Sequence, residues 1–223
     1  MSREQNRGGS VRIGVIGTGN MGTGLARAFA RAGHDVMVGS RDPERGRAIA
    51  SGFDARGGAY EKAAAHGDAV VLAVPWWSID SVIPLLGDLE GKIAIDVTNP
   101  TMSDSGLLQQ MHGSSGAEVI AREIQGATLV KCFNHISAEV IHLDTGVAQT
   151  RATAFLCGDE PEAKNVVSGL ARDLGYDPVD VGPLAAARLI EPLAALVLGL
   201  AQRGAVSPDR ALALVPLVRG RPS

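Results

Sequence analysis

Apolar strands alternate with helices along most of this chain, and a glycine cluster sits where the first strand meets the first helix. A helical, Ala/Leu-rich stretch closes the sequence. These features predict an α/β fold: a Rossmann-type doubly wound parallel sheet with a smaller C-terminal α/β and helical extension. Several strands are apolar throughout, as strands covered on both faces must be. The expected organisation is a disordered tail over residues 1–10, a main Rossmann domain over 11–150 and a smaller C-terminal substrate and dimerisation region over 151–223.

The elements follow in order. Residues 11–16 read as the first strand and 20–32 as a helix with Leu25, Ala28 and Phe29 on one face. Gly33-His34-Asp35 turns into a strand over 36–39, and Asp42-Pro43 supplies a cap and a first residue for the second helix. Residues 53–58 form a weak third strand, 60–66 a short helix and 69–74 a buried strand ended by Pro75. A helix over 79–86 leads to a strand over 92–96 and then a turn-rich loop over 97–106, the kind of segment that carries function.

A helix over 116–124 precedes a strand over 128–133, and a later unit has strand 153–157, helix 161–174 and strand 177–181. Residues 184–217 read as helical, with Pro192 kinking or restarting the first helix and Ser207-Pro208 starting a last one. Leu189, Leu193, Leu196, Val197 and Leu200 serve either core burial or a dimer seam.

The chain has 223 residues, enough for one sizeable core or two small domains. A net charge of −3 provides no global field that would draw it to nucleic acid or anionic lipid. The longest uninterrupted apolar run, 193–200, is too short to cross a bilayer. Residues 1–10 lack the apolar core of a secretory signal, and Cys132 and Cys157 fall in buried strands as reduced thiols. A cytoplasmic protein with no nucleic-acid or membrane partner is expected. His34, His66, His112, His135 and His142 show no metal-ligand spacing.

The sequence Gly17-Thr18-Gly19-Asn20-Met21-Gly22 has a strand before it, a helix after it and a second strand about 20 residues on, the context in which Gly-x-Gly-x-x-Gly holds a dinucleotide. Gly17 permits the tight turn, Gly19 lets backbone amides approach a pyrophosphate, and Gly22 lets the helix pack on the strand. Phosphate charge then rests on unpaired N–H groups at the positive end of the helix. An acidic residue ending the second strand would bond the ribose hydroxyls of NAD, but Gly39-Ser40-Arg41 stands there instead. Ser40, Arg41 and, four residues later, Arg45 suit a 2′-phosphate, so the expected cofactor is NADP(H). Val74 and Trp76 end another sheet strand; Trp76 either flanks the cofactor or seats the next helix. Asn99 and Thr101 occupy the equivalent loop beside the expected nicotinamide.

Four segments together resemble the F420-dependent NADP reductases: Gly17-Thr-Gly-Asn-Met-Gly22, Val38-Gly-Ser-Arg41, Val74-Pro-Trp76 and, most specifically, Val181-Gly-Pro-Leu-Ala-Ala-Ala-Arg188-Leu-Ile-Glu191. The resemblance runs from Arg12 to about Leu200, and reductase domains of membrane ferric reductases share much of it, including Lys131-Cys-Phe-Asn134. It implies reversible hydride exchange between NADPH and the deazaflavin coenzyme F420, by orientation of two small-molecule cofactors in a homodimer. It also implies that Thr18 to Met21, Ser40, Arg41 and Arg45 hold NADP, and that Asn134, His135, Ile136, Ser137 and Ala138 lie where nicotinamide and deazaflavin meet. Ala138 is assigned to the NADP side and Asn134, His135 and Ile136 to the co-substrate.

Cys132 and His135 replace the usual Ala and Thr of that segment, and residues 205–223 depart from the family pattern; both departures bear on the acceptor. Two other functions remain in view: an NADPH-dependent reductase of a free flavin or other small acceptor, and a non-enzymatic NADPH-binding sensor. His135 is a weak catalytic candidate, read either as a hydrogen-bond donor to the deazaflavin or as a partly exposed cap of the following helix. Arg188 and Glu191, three apart, are expected to pair locally.

Overall fold

A computed structural model describes residues 9–101, 111, 113–143 and 152–216. The expected tail through residue 8, the expected loop beyond residue 101 and residue 217 lie outside the described residues. Eight strands form one sheet: β1 (Arg12–Ile16), β2 (Asp35–Ser40), β3 (Arg56–Ala59), β4 (Ala69–Leu72), β5 (Ile93–Asp96), β6 (Thr128–Lys131), β7 (Thr153–Gly158) and β8 (Asp177–Asp180). Their order is β3-β2-β1-β4-β5-β6-β7-β8. The helices are α1 (Asn20–Arg31), α2 (Pro43–Ala50), α3 (Tyr60–His66), α4 (Ile79–Val82), α5 (Gly116–Glu123), α6 (Ala138–His142), α7 (Pro161–Asp173) and α8 (Ala187–Gln202).

Adjacent strand residues feed opposite layers of the core. Val15, Val71, Ile95 and Val130 face the side covered by Leu25 and Phe29 of α1, whereas Ile16, Val70, Ala94 and Leu129 face Ile79, Ile120 and Ile190. This two-sided burial is why the strands read as continuous apolar runs. Each large side chain so buried contributes about 1.5–3 kcal/mol.

The sheet is parallel except between β6 and β7, where Lys131 stands opposite Cys157 and Val130 opposite Gly158. A parallel neighbour needs a crossover that returns the chain to the starting edge. Here β7 starts from the edge where β6 ends, with only the short helix α6 described between them. The strand boundaries also tighten. β6 stops at Lys131, and Phe133, at φ 63°, turns the chain sharply toward α6. The helix expected over 79–86 is a single α turn flanked by 3-10 turns at Trp76–Ser78 and Ile83–Leu85.

The C-terminal region differs more. Pro192 lies inside α8 without ending it. No helix follows Ser207-Pro208 among the described residues; the chain runs irregularly through 216. Thr153 explains this, because its N–H donates to the Leu212 carbonyl (2.8 Å) while its hydroxyl accepts from the Leu214 N–H (2.9 Å). Those bonds tie the segment to the start of β7. The apolar helical span is also longer than the run over 193–200: Leu184–Gln202 has a mean hydropathy of 1.8 and is 28% buried. By length and composition alone it could cross a bilayer.

Candidate functional site

The strand order reverses direction between β1 and β4, and ligands of open α/β sheets bind at the carboxyl ends of strands at such a point. Gly17 sits there at φ 126°, and a Cβ on it would come within 2.2 Å of the Ala73 carbonyl oxygen. A Cβ on Gly22 would meet the Gly17 carbonyl oxygen at 2.3 Å, so the turn and the first helical turn both require glycine. Gly19 differs: nothing lies within 4 Å of its Cβ position. It is the N-cap of α1 and supplies no side chain to the free amides of the first turn. Thr18 completes the turn, its carbonyl accepting from the Thr23 hydroxyl (3.4 Å).

Beside this turn, Ser40 ends β2 buried, and Arg41 and Arg45 are exposed at the start of α2. The acids nearby are already engaged. Asp42 accepts from the Glu44 N–H at 3.0 Å to cap α2, and Glu44 pairs with Arg47. Arg41 and Arg45 make no ion pair among the described residues. Two uncommitted guanidinium groups thus stand at the edge of the dinucleotide turn, where a phosphate would find bidentate donors.

From there an open cleft of about 330 Å³ runs across the sheet edge, lined by Gly19, Asn20, Met21, Ala73 to Trp77, Val97, Thr98, Asn99, Thr101 and Asn134. The expected residues Val74, Trp76, Asn99, Thr101 and Asn134 are therefore brought together with the glycine turn. Trp76 lines the cleft and also packs against the core beneath. Trp77 is 57% exposed. Asn99 and Asn134 clasp each other: the Asn99 amide donates to the Asn134 carbonyl and the Asn134 amide donates to the Asn99 side-chain oxygen, both at 2.8 Å. Asn134 Oδ1 is buried with no partner among the described residues.

His135, Ile136 and Ala138 do not line this cleft. Ile136 is core, and Ala138 opens α6 partly buried. His135 is 2% exposed, tilted against Phe155 at 5.3 Å, with Nε2 3.0 Å from the Thr153 carbonyl. Burial holds its pKa below the ordinary histidine range. Its expected capping role is corrected as well, because Ser137 caps α6 by accepting from the Val140 N–H at 3.2 Å.

A buried ionic network behind the cleft is absent from the expectations. Lys131 Nζ donates to Asp96 Oδ2 (2.7 Å) and the Thr98 carbonyl (2.8 Å), and lies 3.0 Å from Glu191 Oε1. Burial disfavours the charge on Lys131, but the two carboxylates outweigh it and hold the ammonium above its usual range. Asp96 Oδ1 accepts from the Thr98 N–H at 2.8 Å. Glu191 accepts from the Gly116 and Ala117 N–H groups, each at 3.0 Å, at the N-terminus of α5. The expected Arg188–Glu191 pair is therefore replaced: Arg188 turns outward to Glu118 at 2.6 Å, and Glu191 turns inward. The available signal was a lysine and an aspartate ending otherwise apolar strands, since charges there demand partners. Cys132 and Cys157 are buried as expected, and burial pushes the Cys157 thiol up to about 12.

A family signature described as NADP oxidoreductase, coenzyme F420-dependent, matches residues 12–100. The F420-dependent NADP reductase of Methanothermobacter thermautotrophicus is 33% identical over 215 residues, covering 88% of this chain and 91% of that protein. Metalloreductase STEAP3 of Rattus norvegicus is 35% identical over 182 residues, covering 82% of this chain, which spans only 36% of its length. Among solved structures, a candidate F420-dependent NADP-reductase from Arthrobacter sp. FB24 superposes with a TM-score of 0.82 at 28% identity, covering 93% of this chain and 100% of that one.

Proposed function

The chain belongs to the coenzyme F420-dependent NADP oxidoreductase family, and on that premise we propose that it transfers hydride reversibly between NADPH and the deazaflavin coenzyme F420. The observation that carries the reading is the pairing of an uncapped α1 N-terminus at Gly19 with the uncommitted Arg41 and Arg45 beside buried Ser40. The amides after Gly19 fit a pyrophosphate, and the two guanidinium groups fit a 2′-phosphate that NAD lacks. NADPH, when bound, supplies the hydride. Val74, Pro75 and Trp76 exclude water from one wall of the cleft, and Thr98, Asn99 and Asn134 offer polar groups on the other. Rate enhancement then comes from orientation and proximity, with no side chain forming a covalent bond.

Residues 11–150 hold the nucleotide in this reading, and residues 151–223 supply the dimer contact of a cytoplasmic homodimer. Leu189 (73% exposed) and Leu196 (56% exposed) on α8 support that contact. The similarity to a metalloreductase favours a second reading, NADPH-dependent reduction of a free flavin or another small acceptor. Absorbance assays with NADPH plus oxidised F420, set against FMN and FAD, separate them. Turnover of F420 is the expected result. Turnover of flavins without F420 replaces the first reading by the second, and NADPH binding without turnover of any acceptor leaves a sensor.

A further inference from the structure

The buried network joins segments that are far apart in sequence. Lys131 has three acceptors for its three ammonium protons: Asp96, the Thr98 carbonyl and Glu191. Two carboxylates face this one cation, and the second carboxylate, Glu191, also receives two amides at the positive end of α5. Glu191 is thus the point at which α8 is tied electrostatically to both β6 and α5. Its neighbours on α8 are weakly held, with only Ala187, Ile190 and Ala194 otherwise buried.

The same junction backs the cleft wall. A Cβ on Gly116 would lie 3.1 Å from Trp76 Cζ3, 3.2 Å from Glu191 Oε1 and 3.3 Å from Pro100 Cβ. Trp76 and the loop through Thr98 and Asn99 line the cleft, so both sides of that wall rest on atoms that Glu191 holds. Among the described residues, Gly19, Ser40, Arg41 and Arg45 share no partner with this network.

We propose that Glu191 is a positioning residue: its carboxylate, shared between Lys131 and the α5 amides, sets Trp76 and the Thr98–Asn99 loop against the reacting end of the cofactor. The effect on turnover rests on the hydride-transfer reading above, whereas the effect on Trp76 does not. Glu191→Gln keeps the side-chain shape and leaves Lys131 and Asp96 as a neutral pair, so the chain is expected to fold. Nucleotide affinity, set elsewhere, should change by no more than about twofold. The rate constant for hydride transfer, by contrast, should fall about tenfold or more through misplacement of the wall.

The chain has two tryptophans, so Trp77→Phe leaves Trp76 as the only indole reporter. In that background Glu191→Gln should shift Trp76 emission to longer wavelength and raise its quenching by acrylamide. The proposal is overturned if Trp76 emission and quenching are unchanged, if NADPH affinity falls in step with the rate, or if the variant does not fold, since the last two would make Glu191 a general stabiliser. If no acceptor is turned over by the parent protein, the Trp76 measurements still decide the placement of the wall.

Discussion

The dinucleotide turn and the ionic network sit at the same edge of the sheet yet are built in opposite ways. Around Gly17–Gly22 and Ser40–Arg45 the polar groups are left open: α1 has no side-chain cap, and Arg41 and Arg45 pair with no carboxylate among the described residues. Around Lys131 the charges are closed by partners that, apart from the Thr98 amide beside Asp96, lie 33 to 75 residues away in sequence. The open groups are those proposed to receive the phosphates of the nucleotide, and their parts lie close together in sequence. Closed groups hold loops in place, and their parts meet only after the sheet and α8 have assembled.

The largest effect should come from breaking the closed region. Lys131→Met leaves Asp96 and Glu191 buried without their cation, a loss of about 3–5 kcal/mol. Urea unfolding should show that loss, and a cost below 1 kcal/mol would mean that the pair is dispensable. Next, two glycines of the open region separate folding from binding. Gly17→Ala forces a Cβ onto a backbone oxygen at positive φ and should cost about 3 kcal/mol or more of stability. Gly19→Ala, with open space around it, should leave the melting temperature unchanged while weakening NADPH binding in titration calorimetry. Equal stability loss in both variants would contradict the division of roles.

On the proposed reading, Arg41→Ala removes one charge-assisted phosphate contact, about 1.5–3 kcal/mol, or roughly 10- to 100-fold in kcat/KM for NADPH relative to NADH. An unchanged ratio would show that the open cations do not read the 2′-phosphate. The smallest effect concerns pH. Burial depresses the pKa of His34 and of His135 below the reference 6.5, so both stay neutral in the fold when the unfolded chain protonates. Stability should be complete above about pH 6.5 and decline as pH falls below it, until the folded-state pKa values are reached. Denaturant melts between pH 7.5 and 5 test this sign, and stability rising on acidification would refute it.

Legibility in the sequence followed the same division. The glycine turn, the α2 cap at Asp42 and the Ser40-Arg41 pair were readable because each depends on neighbours within a few residues. Trp76, Asn99 and Asn134 follow the ends of β4, β5 and β6, whereas the Asn99–Asn134 clasp and the cleft all three line need the assembled sheet. The burial of His135 is not legible in sequence because its loop turns at Phe133, whose positive φ is unusual for a non-glycine residue, and carries the ring against β7. Arg188 and Glu191 were read as a local pair on spacing alone, and distant partners claimed both.

By itself the sequence determined the α/β alternation, the glycine turn and the two arginines that follow β2, because period, chirality and capping are local physics. Tertiary structure decided the antiparallel β6–β7 pairing, the irregular chain after Ser207 and the closure of Lys131 by Asp96 and Glu191. Those features depend on which groups come to lie together once water is excluded. In a dry interior each buried charge must find a partner wherever the fold places one, whatever the sequence distance.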